Sequence, residues 1–292
     1  MIKLAILGVE NSHSRCFASV LSPRDGEKIF NDVELIGVYG DPNEDGFTEG
    51  VEDMERVSTC PVYSDDYNRF LDEADAVMVT ARHGANHLKY AQKYIEKGIP
   101  VWIDKPFTCD VKEVDQMVSL AEKSGCILCG GSSLEHVAPV KKFEQLVKEK
   151  NGEICGGHVT APVNMKNAYG DFWFYTQHLV AMIMTVFGYD IKKVMAKKDK
   201  NGVHAIYSYD NFSVSAYFGA GYSVSVYTDG MDAVSEAFPL PEDYYMPELK
   251  AFYEVLKTGK ADKTKKQIIA PVYVLDATIR SYTENQEITL NY

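Results

Sequence analysis

Apolar runs alternate with amphipathic stretches over the first part of the chain. Ile2 to Leu7 is predicted as a short buried strand, and the runs in "VELIGVYGD", "DAVMVTARHGANH" and "VWID" are predicted as further strands. Between them, stretches such as "HLKYAQKYIEKG" and "DVKEVDQMVSLAEKSG" carry apolar residues at helical spacing. Continuous apolar strands separated by amphipathic helices are typical of a parallel sheet covered on both faces. Residues 1–130 are therefore predicted to form a doubly wound α/β domain.

The pattern changes in the second part. Glu153 to Asn164 is predicted as a strand and Asp171 to Gly188 as an apolar helix, followed by alternating stretches such as "HAIYSY", "FSVSAYF" and "YSVSVYT". Alternation of this kind indicates an antiparallel sheet with one buried face. Residues 131–292 are predicted to form an α+β domain with an open, mainly antiparallel sheet. An uncovered sheet face would suit a homodimer or homotetramer interface.

The length and net charge of the chain indicate how many domains it forms and which kinds of ligand its charge disfavours. The chain has 292 residues, which suits two domains, and a formal net charge of -12, which disfavours binding to nucleic acid or to an anionic membrane. No apolar run is long enough for a membrane span, and the N-terminus lacks the features of a signal peptide, so we expect a cytoplasmic protein. The six cysteines are predicted to be reduced thiols, with Cys126 and Cys129 buried rather than bound to a metal.

The turn after the first strand, "GVENSH", occupies the position at which a Rossmann domain binds a pyrophosphate. Gly8 supplies the tight turn, but Glu10 and His13 replace the second and third glycines of the G-x-G-x-x-G fingerprint, and Ser12 or Ser14 is predicted to cap the helix. Backbone N–H groups at the helix start, aided by a protonated His13, could still hold an anion, whereas the Glu10 carboxylate must point elsewhere or repel it. We predict an altered dinucleotide site.

Ligands of doubly wound sheets bind at the carboxyl ends of the strands, which predicts one rim of cofactor-binding residues. Asp41, at the end of the second strand, would accept from the adenosine ribose and favour NAD over NADP, or it could simply cap the turn at Pro42. The predicted cofactor-binding residues are Gly8, Glu10, Asn11, Ser12, His13, Asp41, Thr80, Arg82, His87, Asp104, Lys105 and Pro106.

Several motifs resemble the Gfo/Idh/MocA oxidoreductases, the family of glucose-fructose oxidoreductase and inositol dehydrogenase. "VWIDKPF" is similar to the family's Glu-Lys-Pro motif, with Asp104 in place of the glutamate and followed by Lys105 and Pro106. "GDFWFYTQHLVAMIMTVFG" resembles the helix that carries the family's catalytic histidine, which would be His178. The upstream segment "DAVMVTARHGANH" and the closing "ELKAFYEVLKTGK" and "EITL" also match.

The resemblance implies a Rossmann domain and an NAD(P)-dependent oxidoreductase. Such an enzyme transfers a hydride between a nicotinamide cofactor and a hydroxyl or carbonyl of a sugar, cyclitol or related polyol. His178 would be the general base, and Lys105 would orient the substrate and stabilise developing negative charge. Trp173 and Tyr175 would join these two catalytic residues in binding the substrate. No metal is expected, although His83 and His87 are four residues apart.

Two departures leave a second hypothesis open. The family's aspartate four residues before the histidine is Phe174 here; Tyr175 could offer its phenol instead, and Asp171 is predicted two helical turns away from His178. His178 could also be a satisfied core histidine. The alternative function is a non-catalytic nucleotide- or sugar-binding sensor or scaffold on the same fold. Glu135 and His136 are predicted to lie on the surface.

Overall fold

The computed structural model describes residues 1–150, 152–230 and 232–292, and these form two compact units. The first unit comprises residues 1–130 and 248–264, and the second comprises residues 131–247 and 265–292. The sequence assigned residues 131–292 to one domain, whereas residues 248–264 pack within the first unit.

The predicted strands and helices occur in the expected order, together with other elements that were not predicted. The strands are β1 (Ile2–Leu7), β2 (Val33–Tyr39), β3 (Val62–Tyr63), β4 (Ala76–Val79), β5 (Val101–Asp104), β6 (Leu128–Gly131), β7 (Ile154–Ala161), β8 (Lys193–Lys198), β9 (Val203–Ser208), β10 (Ser213–Phe218), β11 (Ser223–Thr228), β12 (Ala233–Ala237) and β13 (Ile288–Thr289). The α-helices are α1 (Ser12–Leu21), α2 (Phe47–Val57), α3 (His87–Glu96), α4 (Val111–Ser124), α5 (Ala138–Glu149), α6 (Trp173–Phe187), α7 (Met246–Thr258) and α8 (Lys265–Glu284).

The first unit has the predicted Rossmann topology. Its six-stranded sheet has the order β3-β2-β1-β4-β5-β6, with parallel pairing from β3 through β5. All four residues of β4 and of β5 are buried, as expected for central strands covered by helices on both faces. Because the strands are parallel, the turns after β1, β2, β4 and β5 lie along the same edge of the sheet.

The second unit contains a seven-stranded sheet in the order β12-β11-β7-β10-β9-β8-β13. Within this second sheet, β7–β10 is the only parallel pair among the described strands. The sheet is therefore mixed and mainly antiparallel, as predicted. Helix α6 is buried around most of its surface and packs with α5, α8 and the sheet. The result is an α+β unit whose sheet has one packed face and one open face.

Several local predictions were wrong. The N-cap of α1 is Asn11, whose side chain accepts from the His13 N–H; Ser12 and Ser14 are inside the helix. Because proline lacks an N–H and clashes with the preceding turn, Pro271 predicts a kinked or shortened α8; the helix is not shortened, since it continues through the proline from Lys265 to Glu284, and the residues on both sides of it are buried. Among the described residues, no helix combines the length and the apolar character that crossing a membrane requires.

Candidate functional site

Gly8 ends β1 in a conformation that only glycine tolerates well. Its φ is 119°, and an added Cβ would lie 2.3 Å from the Ala81 nitrogen. Thr80 fixes the same turn, because its hydroxyl donates to the Gly8 carbonyl over 2.7 Å and its N–H donates to the Leu7 carbonyl. The turns after β1 and β4 are therefore held against each other, backbone to backbone.

Glu10 turns its side chain into this junction. It is only 2 % exposed, and its Oε1 accepts from the Arg82 N–H over 3.0 Å, while the Arg82 guanidinium donates to the Glu10 carbonyl. Burial raises the pKa of the Glu10 carboxyl, although N–H donors from its own backbone and from Arg82 act in the opposite direction. The carboxylate thus lies among backbone donors of the kind that hold a phosphate in Rossmann turns.

Asp104 is the centre of a buried polar cluster that links the altered glycine motif to the Lys-Pro motif. Its two oxygens accept from Asn11 Nδ2 over 2.7 Å and from the Lys105 N–H over 2.6 Å, and Oδ1 also lies 2.9 Å from His13 Nδ1. The other ring nitrogen of His13 is 3.9 Å from Glu248 Oε1 of α7. All of these side chains are more than nine-tenths buried.

Two residues that were predicted to bind the cofactor direct their side chains into this cluster. His13 and Asn11 are directed at Asp104, so the imidazole supports the carboxylate that precedes Lys105. Burial alone would raise the pKa of the Asp104 carboxyl, but His13 and Lys105 hold it below its ordinary value. Asp104 is thus a buried anion stabilised by contacts with three groups, the Asn11 amide, the His13 ring and the Lys105 N–H.

Lys105 follows Asp104 at the carboxyl end of β5 and is 6 % exposed. Burial lowers the pKa of its ammonium group, whereas Asp104 and Glu248 act to raise it. The bond from Lys105 to Pro106 is a cis peptide. A buried lysine beside a fixed carboxylate is suited to proton transfer or to stabilising negative charge on a bound group.

Other predicted cofactor-binding residues are already engaged within the protein. Both ring nitrogens of fully buried His87 face backbone carbonyls, 2.8 Å from Ala81 O and 3.2 Å from Phe107 O, and burial lowers its pKa. Asp41 accepts from the N–H and the side chain of Asn43, which caps the turn and lowers the Asp41 pKa. His87 is thus held by backbone carbonyls, and Asp41 makes the turn-capping contacts that were one of its two predicted roles.

Asp41 also has a cationic neighbour that the local sequence does not show. Lys89 Nζ of α3 lies 3.7 Å from Asp41 Oδ2, and about half of the Lys89 side chain is exposed. The segment that contains Asp41, "GDPNEDGF", offers no basic residue for a 2′-phosphate. The tertiary structure supplies such a residue from another helix.

A polar cavity of about 190 Å³ opens at the N-terminus of α1. The turn contributes Glu10, and helix α2 closes the other side so tightly that a Cβ on Gly50 would lie 2.5 Å from the Val9 carbonyl oxygen. The residues that line the cavity are Val9, Glu10, Asn11, Ser12, Arg15, Glu49, Gly50, Asp53 and Arg82.

In the second unit, His178 pairs with a residue that the sequence analysis did not select. His178 is 5 % exposed, and its Nδ1 lies 2.7 Å from Ser132 Oγ. Ser132 begins a short 3-10 turn, Ser133–Glu135, in which Ser132 and Glu135 form a capping box. The signature S-x-x-E in "SSLE" could have indicated this turn, but no local signal connects it with a helix more than 40 residues later.

The remaining predictions around His178 were partly wrong. Asp171 lies before α6 rather than on it, with a φ of 52°, and its carboxylate accepts from the Asn167 N–H. Glu135 is buried, not on the surface. Tyr175 makes an edge contact with the His178 ring at 5.3 Å between centroids, and Trp173 forms the first residue of the helix.

The cysteines and histidines show no arrangement for a metal. Cys126 and Cys129 are both buried as free thiols, and burial raises the pKa of each. Within residues 1–150, 152–230 and 232–292, no group of three or more His, Cys, Asp or Glu side chains is placed to hold a metal ion. His83 caps a 3-10 turn by accepting from the Ala85 N–H.

Comparison with solved structures shows the same fold over the full chain. GenD2 from gentamicin A biosynthesis, solved in complex with NAD, is 15% identical, with a TM-score of 0.82 and coverage of 100% of this chain and 97% of that one. The myo-inositol 2-dehydrogenase of Lactobacillus plantarum is 13% identical, with a TM-score of 0.80 and 99% coverage of both chains. The scyllo-inositol dehydrogenase of Lactobacillus casei is also 13% identical with a TM-score of 0.80, covering 99% and 98%.

Sequence comparison matches the first part of the chain to one family model. Among curated proteins no match is found. Residues 2–132 match the family model described as the oxidoreductase family with an NAD-binding Rossmann fold. This range contains both the altered glycine turn and the Asp104-Lys105-Pro106 motif. The first part of the chain is therefore similar to the Gfo/Idh/MocA oxidoreductases.

Proposed function

We propose that the protein is an NAD-dependent oxidoreductase that acts on a hydroxyl or carbonyl group of a sugar, cyclitol or related polyol. The observation that carries this proposal is the placement of Lys105. It is a buried lysine at the carboxyl end of β5, beside a carboxylate, inside the region that matches the NAD-binding family. Burying a lysine is unfavourable unless its charge is used or compensated, which supports a chemical role.

The backbone of the first unit is compatible with a nicotinamide dinucleotide. The turn after β1 keeps the tight Gly8, and a backbone donor of the adjoining turn after β4, the Arg82 N–H, already binds an acidic group, the Glu10 carboxyl. The pyrophosphate would therefore be bound by the backbone at the start of α1 once that carboxylate is displaced, and Asp41 would face the ribose. When bound, the nicotinamide would accept or supply the hydride.

His178 would move the hydroxyl proton of the substrate. In the tautomer whose Nδ1–H donates to Ser132 Oγ, Nε2 carries the lone pair and can take a proton. Leu134 N–H also donates to Ser132 Oγ, which holds the hydroxyl oxygen in place at the start of the 3-10 turn. Ser132 thus orients the ring in place of the missing carboxylate, but without the charge that a carboxylate would supply.

Lys105 would bind the oxygen that gains negative charge as the proton leaves. Asp104 holds the Lys105 backbone over 2.6 Å, which limits how far the side chain can move from the end of β5. Because the neighbourhood is buried, the attraction between the ammonium and developing negative charge would be much stronger than in water.

A non-catalytic sensor remains the second candidate, and two observations favour it. The Glu10 carboxyl is bound to the Arg82 N–H beside the turn at which a pyrophosphate would bind, and Phe174 stands where the resemblance implies a charged partner of the histidine. A protein that binds a sugar or nucleotide without turnover would tolerate both changes.

Cofactor titration separates the two candidates. NADH and NADPH are titrated into the purified protein while nicotinamide fluorescence is followed, and NAD⁺ and NADP⁺ are tested by calorimetry. We expect NADH to bind with a dissociation constant in about the micromolar range and NADPH to bind more weakly. Failure of all four to bind would contradict the proposal and favour the sensor.

Variants then test the assigned roles with a panel of polyols and sugars. Lys105→Met and His178→Ala should abolish turnover, with the fold intact by circular dichroism. Lys112→Met and His204→Ala change exposed residues of the same types and should retain activity. Full activity of the Lys105 and His178 variants on an identified substrate would show that these roles are wrong.

A further inference from the structure

The Glu10 side chain is held inside the turn at which the fold binds phosphate. Only 2 % of the residue is exposed, and Oε1 accepts from the Arg82 N–H over 3.0 Å. Arg82 also donates from its guanidinium to the Glu10 carbonyl, so the residue is anchored at both its main chain and its side chain. A carboxylate therefore lies where the turns after β1 and β4 present their donors.

The second carboxylate oxygen is poorly accommodated. Glu10 Oε2 is buried and has no hydrogen-bond partner among the described residues. A buried charged oxygen without a partner is unfavourable, which lowers the free-energy cost of moving this side chain out of the turn. Glu10 also lines the cavity of about 190 Å³ at the N-terminus of α1, which has room for a phosphate group but holds this side chain at its edge.

The charges around the cavity show what Glu10 contributes. The lining carries three carboxylates, from Glu10, Glu49 and Asp53, and two guanidinium groups, from Arg15 and Arg82, so its formal charge is -1. Without the Glu10 charge the lining would be formally neutral. Glu49 is exposed and Asp53 is paired with Arg15, so Glu10 is the buried charge that an incoming anion would meet at the turn.

We propose that the Glu10 carboxylate is an internal anion that competes with phosphate for the turn between β1 and α1, so that an anionic ligand binds only when this side chain swings out. The inference rests on the proposed function for its ligand, a dinucleotide pyrophosphate. It predicts that the protein binds pyrophosphate weakly because the Glu10 carboxylate competes for the turn, and not because backbone donors have been lost.

Two substitutions at Glu10 test the competition. Glu10→Gln retains an acceptor for Arg82 but removes the charge, and Glu10→Gly removes the side chain and restores the glycine of the fingerprint. Binding of inorganic pyrophosphate is measured by calorimetry and binding of NADH by fluorescence. We expect Glu10→Gly to bind both at least about tenfold more tightly than the wild type, and Glu10→Gln to fall between the two.

Glu49→Gln is the matched control. It removes a carboxylate that lines the same cavity but is exposed and lies on α2. Its affinity for pyrophosphate should stay within about twofold of the wild type, because an exposed charge is screened by solvent. If Glu10→Gly does not fold, Glu10→Gln still tests the charge against this control.

The two probes separate this inference from the proposed function. Tighter pyrophosphate binding by the Glu10 variants with no NADH binding to any protein would support the competition and refute the dinucleotide function. Equal NADH binding by all proteins would refute the competition and support the function. Pyrophosphate binding that is absent, or that changes no more at Glu10 than at Glu49, would overturn the inference.

Discussion

Replacing Asp104 with asparagine should destabilise the first unit strongly. The carboxylate accepts from Asn11 Nδ2, from the Lys105 N–H and, when Nδ1 is protonated, from His13. An asparagine has nearly the same shape, but one of its two terminal atoms becomes an NH₂ group that can only donate. At least one of the three donors then faces another donor inside the core.

The magnitude follows from these contacts. A hydrogen bond to a charged group contributes about 1.5–3 kcal/mol, and leaving a buried polar group unsatisfied costs about 1–3 kcal/mol. Removing one partner of a buried pair typically costs about 3–5 kcal/mol in total, and the Asp104 and His13 side chains are each at most 3% exposed. We expect Asp104→Asn to lower the free energy of unfolding by about 3–5 kcal/mol.

Trp102 provides the assay. It lies two residues before Asp104 on β5, is buried, and its ring centroid is 6.4 Å from that of His13. In a Trp173→Phe background it is the only tryptophan of the chain, so its fluorescence during urea unfolding reports on this unit. Asp41→Asn serves as the control, because it makes the same substitution in a turn-capping carboxylate that follows β2 of the same sheet, and it should cost well under about 1 kcal/mol since Asn and Asp cap about equally well.

The pH dependence gives a second check with a defined sign. The folded-state pKa of Asp104 is lowered, so its contribution to stability is present above the unfolded-state value of about 3.9 and is lost as pH falls through the folded-state value. The difference between wild type and Asp104→Asn should therefore be largest near neutral pH and narrow below about pH 4. A loss under about 1 kcal/mol at pH 7, equal to that of Asp41→Asn, would refute the assignment of Asp104 as a buried, triply bonded anion.

Two further predictions concern the second unit. Ser132→Ala should lower kcat about tenfold or more on a substrate found in the polyol screen and shift the pH profile, because His178 loses its orienting partner; Ser132→Thr, which keeps the hydroxyl, should restore both. Unchanged kinetics in Ser132→Ala would argue against that role. The open sheet face, where Ile206 is 50% exposed and pairs in register with Met195, should form a homodimer or homotetramer interface. Light scattering at micromolar concentration should show an oligomer that Ile206→Glu dissociates; a monomeric wild type would contradict this.

The local sequence was sufficient for the architecture because periodicity reflects burial directly. The apolar runs at β1, β4 and β5 and the alternation in β9 to β11 correspond to strands of the predicted kind. Gly8 was assigned correctly to the tight turn, since a single residue's backbone requirement can be inferred from its identity. The prediction failed where local signals compete, as at the cap of α1, where Asn11 and two serines were all suitable capping residues.

From the sequence, the candidate site could be predicted only as a set of residues along one edge of the first sheet, at the carboxyl ends of its strands. The sequence placed Glu10, His13 and Asp104 at this edge. It did not show that Asp104 would bond to His13, 91 residues away, and to Asn11, 93 residues away. Ser132 as the partner of His178, and Lys89 as the neighbour of Asp41, were likewise missed because each contact joins separate elements.

The sequence by itself determined the order of elements, the Rossmann topology, the family motifs and the two positions at which the motifs are altered. Tertiary structure alone decided which contacts the altered residues make: His13 and Asn11 stabilise a buried carboxylate, while the Glu10 carboxyl is buried against the Arg82 N–H. The physical reason is that periodicity and turn propensity act over a few residues. Hydrogen bonds, desolvation and charge pairing in a buried site instead depend on groups that only the folded chain brings within about 3 Å of each other.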